Sequence, residues 1–300
     1  MKPSTDEPNP LGADPRPKTV VVTGGFDALR SREVRFLQEA ARLGVLNVLL
    51  WSDDVVRQFE RRAPVFPQDE RLYFLKAIRF VRHVLLLQAS DFSSQHSEID
   101  AAALASTAAK AGVKADILVL NERQDSPTNQ AICRAQGLDC RGLRDEDLRG
   151  FPDDSASVPP TPPGRKKVLV TGSYDWLHSG HVRFFEQVSG YGALYVVVGH
   201  DANLRLLKGP GHPLVPQDER RYMVGSIRYV TRAMIATGHG WLDAEPEIQR
   251  LKPDIYAVNE DGDRGGKREY CAKLGIEYLV LKRVPAPGLP RRTSTALRGF

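Results

Sequence analysis

The sequence predicts two tandem α/β domains, each a parallel sheet with helices on both faces. Two observations carry this prediction. The chain is internally duplicated, because Thr23–Leu37 recurs as Thr171–Phe185 and Pro67–Arg71 recurs as Pro216–Arg220 in the same order. Within each copy, short β-branched runs alternate with longer helical stretches, as in parallel sheets that helices cover on both sides. A length of 300 residues also suits about two domains.

The elements are clearest in the second copy, where each strand is a short apolar run and each helix is longer and amphipathic. The predicted strands are Lys167–Thr171, Ala193–Gly199, Asp254–Val258 and Glu277–Leu281. The predicted helices are Ser179–Gly190, Pro216–Tyr229, Ala244–Leu251 and Asp263–Leu274, and Thr293 or Ser294 can cap a last short helix. The spacing of the repeated blocks places about eleven extra residues in the first copy, around Ser90–Ala115.

Composition sets the domain boundaries. Residues 1–16 are rich in proline and acidic side chains and are predicted to be a disordered tail, followed by a first domain at 17–150. Residues 151–165 are predicted to be a linker, because their dense proline favours extended backbone. Residues 166–300 form the second domain.

The composition also excludes several classes of protein. Hydrophobic residues make up 41% of the chain, which is an ordinary globular balance, and no apolar stretch approaches the ~20 residues of a membrane span. The first residues do not form a signal peptide. Three cysteines (Cys133, Cys140 and Cys271) give no even disulfide framework and no zinc spacing. We therefore expect a soluble, cytoplasmic protein with no membrane partner.

The net charge of +5 is unevenly distributed. Residues 1–150 hold 21 basic and 21 acidic side chains, whereas residues 151–300 hold 21 and 16. A nucleic-acid-binding protein would show a dense basic stripe, so no nucleic-acid partner is expected. The excess in the second half is either a solvated surface or the counterpart of one polyphosphate site.

The end of the first strand of the second copy combines the features of an anion site. Thr171–His181 runs from the strand through a glycine turn into a helix, whose N-terminus favours negative charge. His178 and His181 share one face of that helix, and Gly180 between them lets a ligand approach. The alternatives are structural histidines or half of a metal site, but no third ligand lies nearby at metal spacing.

Thr171–His181 matches the (T/S)-G-x-(F/Y)-D-x-x-H-x-G-H signature, and the second copy resembles the cytidylyltransferase-like nucleotidyltransferase superfamily over Lys167–Phe300. Lys208, the Glu219-Arg220 pair and the basic segment Arg291–Arg298 match further elements in family order. The resemblance implies two tandem Rossmann-like nucleotidyltransferase domains, with a degenerate first copy.

The resemblance also implies a reaction and a site. A nucleoside triphosphate would be joined to a phosphate-bearing acceptor with release of pyrophosphate, and Mg²⁺ would arrive with the nucleotide rather than in a protein site. The implied catalytic residues are His178, His181 and Lys208. The implied nucleotide-binding residues are Thr171, Gly172, Ser173, Tyr174, Asp175, Gly180, Arg292, Ser294, Thr295 and Arg298. The candidates for the acceptor or base pocket are Trp176, Asn259, Asp261 and Asp263.

Several assignments stay open at this stage. Asp175 either orients the glycine turn or contacts the acceptor, and Trp176 lies either in the core or in the acceptor pocket. The expected donor is CTP and the acceptor a phosphorylated small molecule. The alternatives are an adenylyltransferase that uses ATP and a non-catalytic nucleotide-binding scaffold.

The first copy is predicted to be catalytically inert. Arg30 and Glu33 replace the two histidines, and either Phe59 or Glu60 replaces Lys208. The segment Leu143–Asp147 is acidic where the second copy is basic. Because members of the family commonly dimerise, we expect either a homodimer or an internal pair in which the first copy takes the place of a partner subunit; a regulatory nucleotide site is the alternative role.

Overall fold

A computed structural model describes residues 16–91, 106–109, 112–153, 161–294 and 296–297. It contains two five-stranded parallel sheets, each with helices on both faces. The predicted fold class is therefore confirmed. Apart from Arg16, the predicted disordered tail lies outside the described residues, as do residues 154–160 of the predicted linker and most of the insertion predicted around Ser90–Ala115.

The first domain follows a strand–helix alternation that begins at residue 19. Its strands are β1 (Thr19–Gly24), β2 (Val45–Trp51), β3 (Val81–Leu87), β4 (Ile117–Asn121) and β5 (Asp139–Leu143). Its helices are α1 (Ser31–Ala41), α2 (Asp53–Glu60), α3 (Gln68–Ala77) and α4 (Pro127–Ala135), with 3₁₀ turns at Ala89–Asp91 and Asp145–Leu148. Residues 106–109 form one helical turn.

The second domain repeats this order. Its strands are β6 (Lys167–Gly172), β7 (Ala193–Val198), β8 (Val230–Ile235), β9 (Ile255–Asn259) and β10 (Glu277–Leu281). Its helices are α5 (Ser179–Ser189), α6 (Asp201–Lys208), α7 (Gln217–Gly225), α8 (Glu245–Leu251) and α9 (Lys267–Lys273), with 3₁₀ turns at Gly240–Leu242 and Glu260–Gly262.

Both sheets have the same strand order, β3-β2-β1-β4-β5 and β8-β7-β6-β9-β10. The first strand of each domain is therefore central and pairs in parallel with the second and fourth strands. The strand order reverses between β6 and β9, and a crevice opens beyond their carboxyl ends at such a point. In the second domain that crevice lies between Gly172 and Asn259.

The structure corrects the predicted elements in three places. The helix predicted over 216–229 ends at Gly225, where the hydroxyl of Ser226 bonds back to the Tyr222 carbonyl, and the edge strand β8 follows. Helix α6 was not predicted, because its N-cap is His200, whose ring nitrogen accepts from the Asn203 N–H in place of the usual Ser or Asp. The helix predicted over 263–274 begins at Lys267.

The two domains contact each other through equivalent residues on both sides. Ile78 and Ile227 form an antiparallel bridge, one from each domain. Tyr73 Oη donates to Glu186 Oε2 at 2.7 Å, and at the related position Tyr222 Oη donates to Gln38 Oε1 at 2.9 Å. These contacts relate the two copies by a pseudo-twofold axis, and one buried apolar cluster runs across the interface.

Two further features concern the chain as a whole. The structure joins Cys133 and Cys140 in a disulfide between α4 and β5, a pair that the sequence analysis did not predict. Cys271, the counterpart of Cys133, is buried as a free thiol. No helix in the described residues combines the length and the apolar character needed to cross a bilayer.

Candidate active site

The glycine turn after β6 has a fixed and strained shape. Tyr174 adopts a left-handed backbone with φ of +49°, and its ring folds back over Gly172. A Cβ on Gly172 would lie 2.7 Å from Tyr174 Cζ, so only glycine fits there. Asp175 accepts from the backbone N–H groups of Leu214 and Val215 at 2.7 and 3.0 Å, which ties the turn to the loop before α7.

The two histidines stack on each other at the start of α5. Their ring centroids are 4.0 Å apart with an interplanar angle of 27°. His178 is buried, and its Nδ1 accepts from the Gly180 N–H at 3.1 Å, so a neutral ring carries its proton on Nε2. His178 Nε2 and His181 Nδ1 are buried polar atoms without a hydrogen-bond partner among the described residues. Buried polar groups are normally satisfied, so these two indicate a ligand position.

The surroundings keep both rings neutral. Burial lowers the pKa of His178 to about 3, and the nearby cations Arg283 and Arg292 add to this. Burial also lowers the pKa of His181 well below its usual value, with further contributions from His178, Arg283 and Lys208. The pair therefore offers ring N–H donors rather than a positive charge.

Two cations lie close to the histidine pair. Lys208, the last residue of α6, lies over the glycine turn with Nζ 2.8 Å from Ser173 Oγ. Arg283 follows β10 and donates through Nη2 to the Arg292 carbonyl at 2.8 Å. Arg283 also pairs with Asp261. Positive charges this close to the histidines would stabilise negative charge on a ligand bound there.

The carboxyl end of β9 supplies the third side of the site. Asn259 lines a cleft of about 270 Å³ together with Gly180 and Arg283. Its Oδ1 is buried without a hydrogen-bond partner among the described residues. Asp263 accepts from the hydroxyl of Tyr278 at 2.9 Å. Among the candidates Asn259, Asp261 and Asp263, Asn259 is therefore the one whose side chain could bind a substrate.

The late basic segment is fixed to both domains. Ser294 Oγ donates to the Trp176 carbonyl at 3.2 Å. The Arg292 guanidinium donates to Glu70 of the first domain, with its closest contact, Nη2 to Oε2, at 2.8 Å. The carbonyl of Arg292 lies near Gly180. The segment thus forms a wall beside the histidines.

No group of three or more His, Cys, Asp or Glu side chains in the part of the chain that the structure describes is arranged to hold a metal ion. Of the carboxylates after β9, Asp261 is engaged by Arg283, and Asp263 is engaged by Tyr278 and Arg268. The described residues therefore offer no metal site of their own, and the arrival of Mg²⁺ with the nucleotide stays a prediction.

Comparison with known proteins identifies several relatives of this chain. A family model described as cytidylyltransferase-like matches residues 169–282. A lipopolysaccharide core biosynthesis protein from Thermoplasma volcanium aligns with a TM-score of 0.35 and 25% identity, over 41% of this chain and 99% of that one. FAD synthase from Ferroglobus placidus is 33% identical over 39% of this chain and 75% of its own length. FAD synthase from Thermococcus kodakarensis is 39% identical over 40% of this chain and 82% of its own length. The chain belongs to the cytidylyltransferase-like nucleotidyltransferase superfamily.

In this nucleotidyltransferase, the residues that the sequence singles out have different surroundings. His178, His181, Gly180, Lys208, Ser173 and Asn259 lie together around one crevice. The hydroxyl of Thr171 is hydrogen-bonded to the hydroxyl of Tyr256. The Tyr174 ring packs edge-on against the His181 ring, with 5.2 Å between the ring centroids. Both residues therefore contact neighbouring side chains of the site. Trp176 lines a cleft at the domain interface. Thr295 and Arg298 lie outside the described residues.

Sequence reasoning missed two residues of the nucleotidyltransferase site. Arg283 was given no role, although its position two residues after the last strand is a usable signal. Glu70 belongs to the first copy, and only the packing of the two domains brings it to the site. No pattern in the second copy alone could have found it.

The equivalent site in the first domain is closed by carboxylates. α2 ends at Glu60 as α6 ends at Lys208, so Glu60 is the counterpart of the lysine. Its carboxylate lies so close to Gly25 that a Cβ there would meet Glu60 Oε1 at 2.8 Å. Glu33 stands where His181 stands and accepts from the Arg30 N–H at 3.1 Å. These groups oppose a phosphate, in agreement with the predicted inertness of the first copy.

Replacing Gly172 by alanine should damage the nucleotidyltransferase site. The new methyl group would force the Tyr174 ring away from His181, and overpacking of this kind costs about 1–3 kcal/mol. We expect a lower melting temperature and weaker nucleotide binding by calorimetry. Gly24→Ala is the matched control, because its Cβ would meet Phe26 at 3.3 Å, a milder contact in the first copy. Equal losses of nucleotide binding in the two variants would contradict the assignment.

Proposed function

We propose that the protein transfers AMP from ATP to a phosphorylated small molecule and releases pyrophosphate. The observation that carries this proposal is the pair of neutral imidazoles at a helix N-terminus beside Lys208 and Arg283, each with one buried ring nitrogen that has no hydrogen-bond partner among the described residues. The choice of ATP over CTP is supported by the relatives named FAD synthase, because FAD contains an AMP unit. The proposal therefore takes the ATP alternative in place of the expected CTP donor.

The proposed acceptor is a phosphate monoester that carries a planar aromatic group, of which FMN is the example suggested by the relatives. A cleft of about 400 Å³ at the domain interface supports this choice. Trp176, Tyr174 and Arg30 line it, and the Arg30 guanidinium stacks over the Trp176 ring at 3.9 Å. The cleft therefore combines aromatic rings with a cation, and these groups suit a ligand that is both planar and anionic.

The proposed reaction is an in-line displacement at the α-phosphorus. An oxygen of the acceptor phosphate forms a bond to phosphorus as the bond to the β-phosphate oxygen breaks, and pyrophosphate leaves with the electron pair. His178 Nε2–H and a ring N–H of His181 donate to the α- and β-phosphate oxygens, where charge increases. The positive charge of Lys208 reduces the repulsion between the anionic acceptor and the triphosphate. The positive charge of Arg283 stabilises the negative charge of the leaving pyrophosphate. No protein nucleophile is needed.

The donor and acceptor can be tested together. Pyrophosphate release is measured with ATP, CTP, GTP and UTP, each paired with FMN, with glycerol 3-phosphate or with ribose 5-phosphate, and products are identified by mass spectrometry. We expect turnover with ATP to exceed turnover with CTP by at least tenfold, with FMN as the preferred acceptor. A preference for CTP would replace the proposed donor, and the absence of turnover with every pair would contradict the proposed function.

A further inference from the structure

Glu70 of the first domain reaches into the site of the second. Its side chain is only 4% exposed, although it carries a carboxylate. Ser179 Oγ donates to Glu70 Oε1 at 2.6 Å. Arg292 donates to both carboxylate oxygens, with contacts of 3.2, 3.1 and 2.8 Å. One buried acid of the inert copy therefore binds two separate segments of the other domain.

The pseudo-twofold axis alone does not explain why Glu70 contacts both Ser179 and Arg292. At the related position Glu219 of α7 accepts from Ser31, as Glu70 accepts from Ser179. Among the described residues, however, Glu219 has no arginine partner corresponding to Arg292, since the matching segment of the first copy is acidic. The arginine contact is thus specific to the side that contains the histidines.

The two segments held by Glu70 flank the histidines. Ser179 is the first residue of α5, directly after His178, so its position fixes where the helix and its N–H groups begin. Arg292 brings its carbonyl near Gly180 and accepts from Arg283. A shift of either segment would move the imidazoles relative to Arg283, and misplacement of about 1 Å can cost roughly 10² in rate.

We propose that Glu70 is a positioning residue through which the inert first copy orders the catalytic site of the second. This proposal rests on the proposed function for its kinetic test. Glu70 contacts no reacting atom. It fixes the start of α5 and the Arg292 segment relative to each other, so its loss lowers the rate of the chemical step more than the binding of ATP.

Glu70→Gln, Glu70→Ala, Arg292→Ala and the double variant Glu70→Ala/Arg292→Ala test the proposal in the full chain. We expect kcat to fall about 10- to 100-fold in Glu70→Ala while the KM for ATP changes less than threefold. Glu70→Gln keeps a hydrogen-bond acceptor for Ser179, so its kcat should fall less than that of Glu70→Ala. The double variant should be no slower than the slower single variant, because groups that act through one contact are not additive.

Tyr73→Phe is the matched control for a loosened interface. It removes a hydrogen bond between the same two helices, from Tyr73 Oη to Glu186 in the later part of α5, and leaves the contacts of Glu70 with Ser179 and Arg292 in place. Its kcat should equal that of the wild type. A kcat in Tyr73→Phe as low as that in Glu70→Ala would overturn the proposal, as would an unchanged kcat in a folded Glu70→Ala protein.

A spectroscopic readout separates this proposal from the proposed function. The imidazole ¹⁵N signals of the substrate-free protein should show His178 as a single neutral tautomer with its proton on Nε2. In Glu70→Ala we expect a mixture of tautomers, because the start of α5 is no longer fixed. If the wild-type protein turned over no substrate pair, the proposed function would fail while this spectrum still decided the role of Glu70. An unchanged spectrum in Glu70→Ala would overturn that role.

Discussion

Replacing His178 or His181 by alanine should lower kcat by about 10²–10³, the effect of removing one preorganised donor to a developing negative charge. His178 presents a buried Nε2–H with no other partner among the described residues, and the ring of His181 stacks on it. The measurement is the rate of pyrophosphate release with saturating ATP and acceptor.

The pH dependence distinguishes a neutral donor from a cation. Because burial lowers the pKa of His178 to about 3, the ring is neutral at both pH 6 and pH 8. The loss in His178→Ala should therefore be the same factor at the two pH values. A loss confined to the acidic side would mean that imidazolium is the working form. His83→Ala, at an exposed position on β3, is the matched control and should leave the rate unchanged.

Replacing Arg283 by alanine should lower kcat/KM for ATP by roughly 10², since charge stabilisation at the transferring phosphate dominates such reactions. Arg283 is the cation whose field lowers the pKa of both histidines, so it is close to each ring. Its side chain is 21% exposed and pairs with Asp261. Steady-state kinetics with varied ATP measure the effect.

Lys282→Ala provides the control for Arg283, because it removes the same charge one residue earlier from an exposed side chain. We expect Lys282→Ala to keep nearly full activity. Arg283→Lys should recover only part of the loss, since an ammonium cannot reproduce the planar fork that binds Arg292 and a phosphate together. Equal activity in Arg283→Ala and Lys282→Ala would show that only overall charge matters.

The fold was largely predictable because both domains obey simple periodic rules. Buried strands such as β7 and β9 are continuous apolar runs, and the duplication doubles the signal. The edge strand β8 was missed because it contains Thr231 and Arg232 and follows a helix with no proline between them. Its pairing with β7, a tertiary contact, decides its conformation.

The site was predictable where one segment contains the chemistry and less so where distant segments meet. The glycine turn and the histidine pair lie within eleven residues, so their spacing specifies their geometry. Arg292 was expected at the phosphates, yet its guanidinium contacts Glu70 across the domain interface. Asp175 left two readings open, and its hydrogen bonds to the loop before α7 favour the orienting one. These outcomes depend on how the copies pack, which no local pattern encodes.

The pseudo-twofold contact between the copies has a consequence for assembly. An isologous surface closes on itself, and here each copy occupies the complementary face of the other within one polypeptide. A second chain cannot add through that face unless the halves separate. Shortening the connection between residues 153 and 161 would then favour exchange of halves between two chains, and the product would be a swapped dimer with two complete crevices.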